Sequence, residues 1–72
     1  MINTYIKSID AYLERTDRIE CTPPEANAEL ARLGLLGDSA SRKGLPLRRI
    51  LRAGLIPHAY KKGRDWYIPR SK

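Results

Sequence analysis

The sequence predicts a mostly α domain with a small β-hairpin near its C-terminal end. Three observations carry that expectation. Apolar residues recur at the i, i+3, i+4 spacing of an amphipathic helix in three separate stretches. Nine Leu and seven Ile supply most of the apolar side chains, with no Val and no Phe, a balance that leans helical. Finally, Lys62-Gly63-Arg64-Asp65 separates Ala59-Tyr60-Lys61 from Trp66-Tyr67-Ile68, the pattern of two strands around a glycine turn. Seventy-two residues make one domain with no room for a second core, and such a chain buries only about 60% of its unfolded surface. A hydrophobic content of 42% still allows a small core and argues against wholesale disorder.

In chain order, Ile2, Tyr5, Ile6, Ile9, Tyr12 and Leu13 form the stripe of a first helix. Asn3 is its expected N-cap, and Lys7, Asp10, Glu14 and Arg15 fall on or near the wet side. This helix is expected to be a lid that completes the core, ahead of a dimerisation helix, because a domain this small has little apolar surface to spare. Thr16–Cys21 reads as a linker anchored by Ile19, so residues 1–20 form an N-terminal helix and linker. Thr22-Pro23-Pro24-Glu25 is a strong helix start: threonine caps, proline takes the first helical position, and glutamate three residues on completes a capping box. Ala26, Leu30 and Leu33 are the expected buried stripe of this second helix, and Gly34 ends it.

The stretch from Leu35 to Gly44 is longer than the three or four residues that join a strict helix-turn-helix. Either Asp38 or Ser39 caps an extra helical turn, or Leu35 and Leu36 pin an ordered loop. A third, basic helix then begins, with Pro46 in its first turn. Leu47, Ile50 and Leu51 share its apolar face, while Arg48, Arg49 and Arg52 make one cationic stripe opposite. Gly54 stands where a helix end wants positive φ, and Pro57 holds Ile56 extended. Trp66 and Ile68 point to one face of the last strand and Tyr67 to the other. Core packing under the hairpin is the expected role of Trp66.

Charge is unevenly spread. Residues 1–41 hold four basic and seven acidic side chains, a net of −3, whereas residues 42–72 hold ten basic and one acidic, a net of +9. That asymmetry concentrates a positive field on the second half, and nucleic acid is the first partner to consider. A basic helix face is often merely solvated. Here all three side chains are arginines, whose planar fork grips guanine or phosphate, and no carboxylate stands at i±4 to neutralise them. A membrane surface fits less well, because the basic helix lacks a bulky aromatic insertion face.

Catalysis finds no footing. His58 is the sole histidine, with no serine or cysteine beside it to form a dyad, and the acidic residues lack paired spacing. Cys21 cannot form an internal disulfide, and one cysteine with one histidine cannot build a zinc site. Cys21 is most simply a small hydrophobe. No cofactor is expected. No apolar run approaches the ~20 residues of a membrane span, and a secretory pattern is missing, so cytoplasm is the default compartment.

The order of parts in RRILRAGLIPHA, KKG and WYIPRS resembles the winged helix-turn-helix of the MerR and excisionase-like DNA-binding proteins. The glycine ending the basic helix, the proline soon after, the hairpin glycine and the closing Trp-x-Ile-Pro all have matching positions, and the match covers about half the chain. Lys62 departs from the family, which usually has an apolar residue just before that glycine. The resemblance implies a winged helix-turn-helix with an added N-terminal helix: helix-turn-helix over 22–56 and wing over 57–70. It implies a basic helix in the major groove, carrying Arg48, Arg49 and Arg52, and a wing on the backbone. Lys61, Lys62 and Arg64, with Arg42, Lys43 and Arg70, are then expected phosphate contacts. Double-stranded DNA is the implied partner, as for a small transcriptional regulator or an excisionase-type recombination directionality factor. A recombinase or other protein partner, and a homodimer or cooperative assembly on DNA, are compatible with either role. The competing expectation is a non-enzymatic adaptor whose basic face binds structured RNA or an acidic protein.

Overall fold

Helix α1 runs over Ile2–Arg15, α2 over Pro23–Arg32 and α3 over Leu45–Arg52. Strands β1 (Glu20–Cys21), β2 (Tyr60–Lys62) and β3 (Asp65–Pro69) form an antiparallel sheet in the order β1-β3-β2. The computed structural model describes residues 1–71. Three helices and a three-stranded sheet make this a small mixed α/β domain, so the expectation of helices plus a lone hairpin is short by one strand.

That strand lies in the stretch expected to be a linker. Cys21 pairs with Ile68 and Glu20 with Pro69, which ties the end of α1 to the last strand of the chain. Ile19 is not the anchor: it is 80% exposed, whereas Cys21 is 1% exposed. A bend at Ile19 interrupts the alternation that would have carried its side chain inward. Burial pushes the Cys21 thiol up to about 12, so it behaves as a packed hydrophobe and not as a reactive group.

The apolar stripe of α1 is part of the core, with Tyr5, Ile9 and Leu13 buried and Ile2, Ile6 and Tyr12 packed at its edge. Met1, not Asn3, occupies the N-cap, and Asn3 lies inside the first turn. The C-terminal residues close over this helix. The Arg70 guanidinium donates to the carbonyls of Arg18 at 3.1 Å and Leu13 at 3.3 Å. The Ser71 amide donates to the Asp10 carboxylate at 2.9 Å, and its hydroxyl bonds the same carboxylate.

All three helices end in the same backbone motif. In α1 the amide of Arg18 bonds the Leu13 carbonyl, in α2 Leu35 bonds Leu30, and in α3 Leu55 bonds Ile50. Each is the six-to-one bond of a Schellman turn. Gly34 and Gly54 supply the left-handed residue in α2 and α3, and Asp17 does so in α1 with φ of 55°. The turn after α2 explains a second departure from expectation. Leu33 is 43% exposed because the helix has already ended at Arg32, and Leu35 rejoins the core in its place.

The start of α2 has the capping box in full. The start of α3 is built differently. Its N-cap is Gly44, at φ of 83°, and a Cβ there would come within 2.7 Å of the Pro24 nitrogen and 2.9 Å of the Pro23 carbonyl carbon. Glycine lets α3 approach the first turn of α2 but offers no capping side chain. Asn27, on α2 and fully buried, supplies the cap instead. Its Oδ1 accepts from the Leu47 amide at 3.1 Å, and its Nδ2 donates to the carbonyls of Leu36 at 3.3 Å and Gly37 at 3.5 Å. The connection from Gly34 to Gly44 is an ordered loop, with no extra helical turn. Asp38 organises it by accepting from the Ser39 and Gly44 amides, both at 2.8 Å.

Two substitutions test this junction. Asn27→Ala strands a helix donor and a loop carbonyl in the core, which should cost about 2–4 kcal/mol. Gly44→Ala adds a backbone clash to a left-handed dihedral and should cost about the same. A small domain holds little more in total, so urea unfolding of either variant should show a midpoint well below that of the parent. A midpoint unchanged in both would refute this account of the α2–α3 junction.

Candidate nucleic-acid interface

Helix α3 is short and strongly two-faced. Leu47 and Leu51 are buried and Ile50 packs at the core edge, while Arg49 and Arg52 are exposed and Arg48 is half-buried on the flank. The rotation follows from 100° per residue, with Arg49 and Arg52 farthest from the apolar direction. Every backbone donor at the start of α3 is engaged: Gly44 bonds Asp38, Leu45 bonds the Arg42 carbonyl at 3.1 Å, Pro46 has none, and Leu47 bonds Asn27. The helix is therefore held from three sides, and its N-terminal amides are unavailable to an anion.

The hairpin follows α3 after seven residues, Ala53–Ala59. Its two-residue turn is Gly63-Arg64, with Gly63 at φ of 65° and Lys62 paired to Asp65. Ile68 is buried and Trp66 packs half-buried against the core, whereas Lys61, Lys62 and Arg64 are exposed. Tyr60 and Tyr67 stack on the opposite face with ring centroids 5.5 Å apart. The Tyr60 hydroxyl donates to Glu20 at 2.6 Å, and that bond to a carboxylate raises the phenol above its ordinary range. Tyr60 is thus committed to a cross-strand contact between β2 and β1's Glu20. Arg42 and Lys43 are exposed on the loop before α3.

None of the nine expected contact residues makes an ion pair among the described residues, and eight of them (Arg42, Lys43, Arg48, Arg49, Arg52, Lys61, Lys62 and Arg64) carry no side-chain hydrogen bond there either. Arg70 stands apart, its guanidinium occupied at the end of α1. His58 is half-buried in the segment between α3 and β2. No cluster of three His, Cys, Asp or Glu that could hold a metal ion is found among the described residues. Among the described residues no helix is long and apolar enough to cross a membrane. Asn27 escapes a pattern-based reading of the sequence, and Asp38, a candidate cap for an extra helical turn, instead braces the loop at the start of α3. The signal that points to Asn27 is indirect: Gly44-Leu45-Pro46 opens a helix with no side chain of its own able to cap it.

Two carboxylates of the first half, Glu25 and Glu29, are held in ion pairs there. Glu25 receives both arms of the Arg18 guanidinium, one at 3.0 Å, and completes the Thr22 capping box. The Arg18 bonds, aided by Thr22, hold the Glu25 carboxyl down at about 2. Glu29, 7% exposed, is gripped by Arg32 at 3.0 and 2.6 Å and reached by Arg15 at 3.3 Å. The Arg32 bonds hold its carboxyl below the usual range.

Compared with protein-family models, with curated proteins and with solved structures, the chain gives no match.

The two depressed carboxyls fix the sign of the acid response. An unfolded glutamate takes up its proton near pH 4.5, whereas Glu25 in the folded chain does so only near pH 2. Between those values the unfolded state binds more protons, so the stability that Glu25 contributes is complete above about pH 4.5 and drains away toward pH 2. Glu25→Gln should lower stability at pH 7 and flatten the loss between pH 5 and 2, read by urea titration at several pH values. A parallel acid limb in the variant would mean that Glu25 is not a source of the dependence.

Proposed function

We propose that this protein binds double-stranded DNA as a winged helix-turn-helix, with α3 as the reading helix and the β2–β3 hairpin as the wing. The observation that carries this reading is the set of eight unpaired cationic side chains between Arg42 and Arg64. Three of the four basic residues before position 42 are, by contrast, in ion pairs. A row of arginines kept free of carboxylates on a helix anchored at its N-terminus is suited to a phosphate-lined groove. Arg49 and Arg52 are assigned to base edges, because they lie farthest from the core, and Arg48 to the sugar-phosphate wall. Lys61, Lys62, Arg64, Arg42 and Lys43 are assigned to the backbone. In this role the protein is a small transcriptional regulator or an excisionase-type directionality factor; both need the same reading head.

Duplex titrations across a salt series test the class. With six or so phosphate contacts, log K against log salt should fall with a slope of roughly −5, at ~0.9 per contact. Lys61→Ala or Lys62→Ala should weaken all duplexes alike and make the slope about one unit shallower. Structured RNA that competes as well as duplex DNA would overturn the assignment in favour of an RNA-binding adaptor.

The arginines should divide by role. Arg49→Ala or Arg52→Ala should cost ~1–3 kcal/mol on a preferred site and little on random duplex. Lysine at either position should restore non-specific affinity without discrimination, since it lacks the bidentate fork. Base-by-base affinity profiles of each variant read this directly. Equal losses on specific and random DNA would mean that neither arginine reads sequence.

A further inference from the structure

Two features lie outside the interface just described. One is Ile19, which stands 80% exposed between the acidic residues Asp17 and Glu20. The other is an open cleft of about 320 Å³ between α1 and α2, to which α3 and the hairpin contribute no residue. Ala11 and Leu33 line it, and Leu33 is itself 43% exposed. Lys7, Arg15 and Arg32 also line it, and its single carboxylate, Glu29, is already held by Arg15 and Arg32. The cleft is therefore a partly apolar hollow with a net positive rim. Its volume, at the low end of the ~300–1,000 Å³ typical of ligand pockets, suits one or two large side chains.

We infer that the α1–α2 cleft receives the Ile19 corner of a second copy of this chain. The occupant is chosen by two complementarities. An exposed β-branched side chain meets a hollow lined by Ala11 and Leu33. Of the carboxylates that flank it, Asp17 meets Lys7 and the outer faces of Arg15 and Arg32, while Glu20, which already accepts from Tyr60, adds only its charge. A duplex is the poorer occupant, because residues 1–41 carry a net of −3 and a long phosphate chain would feel that field beyond the local rim. The contact is small, so the association is weak, with Kd of about 0.1–1 mM, and it weakens as salt screens the rim. Neither Ile19 nor Lys7 belongs to the DNA-binding surface, so this contact stands or falls independently of that reading.

The test uses the full chain. Sedimentation velocity and amide NMR shifts are followed from ~10 μM to ~1 mM protein. Self-association is expected, with concentration-dependent shifts at Thr4, Lys7, Ala11 and Leu33 on one side and at Asp17–Glu20 on the other. Ile19→Ser removes the knob and Lys7→Glu reverses the rim. Both positions are exposed and the Lys7 side chain makes no ion pair among the described residues, so each variant should fold and should weaken association about tenfold. Mixing the two variants should restore part of the association, since one carries the intact cleft and the other the intact Ile19. Duplex affinity at a single isolated site should be unchanged in both. Monomer throughout the series, association indifferent to Ile19→Ser, or a mixture as weak as either variant alone would each overturn the inference. So would duplex DNA that shifts the cleft residues.

Discussion

One buried carboxamide holds the domain's parts in register. Asn27 donates to two loop carbonyls and accepts from the third amide of α3, so it ties α2, the connection and α3 together at one point. No other residue of that size does this. Aspartate would bury a charge and lose the donor, and leucine would leave Leu47's amide and Leu36's carbonyl without partners. The need for it follows from steric crowding one step earlier. The N-terminus of α3 lies so close to Pro23 and Pro24 that only glycine fits at position 44. Glycine cannot cap, so the cap comes from the neighbouring helix. Close approach and remote capping are two sides of one solution.

That solution has an electrostatic consequence. A helix start usually offers free amides to an anion, but α2 closes its own with Thr22 and Glu25, and α3 closes its own with Asp38, Arg42's carbonyl and Asn27. Attraction for phosphate at these helices thus falls to side chains. Several acidic residues of the first half are occupied locally: Glu25 with Arg18, Glu29 with Arg15 and Arg32, Glu20 with Tyr60, and Asp10 with Ser71. Charge separation along the sequence becomes charge separation in the fold because the first half satisfies its own arginines.

Elements with a period or a punctuating residue were legible in the sequence. Three amphipathic stripes, the Thr22 capping box, Gly54 after α3 and Gly63 in the hairpin turn all stand where pattern and dihedral chemistry put them. What was hidden depends on neighbours remote in sequence. A two-residue strand such as Glu20–Cys21 has no period to detect, and its existence rests on pairing with residues 68 and 69. Asn27 looks like a surface residue between two alanines until α3 is laid against it. Leu33 fits the helical stripe, yet the left-handed Gly34 turns the chain first and hands its place to Leu35. Arg70 reads as one more cation of a basic tail. The β1–β3 pairing instead brings it beside the carbonyl end of α1, where a positive charge is favoured.

The same pairing explains how so small a chain holds α3 steady. β1 and β3 close a loop that contains α2, α3 and the hairpin, so the segment from Thr22 to Tyr67 is tethered at both ends. Helix α1 lies outside that loop, and Arg70 and Ser71 reach back from its far end to fasten it. Ile9, Leu13, Leu30, Leu47 and Ile68 then meet in one core drawn from α1, α2, α3 and β3. Because every element but β2 contributes to that core, α3 cannot move away from α2 without exposing it. Rigidity of the arginine row is thus a property of the whole chain. In a protein of 72 residues the scaffold and the site cannot be separate structures, and a change at Asn27, Gly44 or Ile9 would reach the arginines through packing alone.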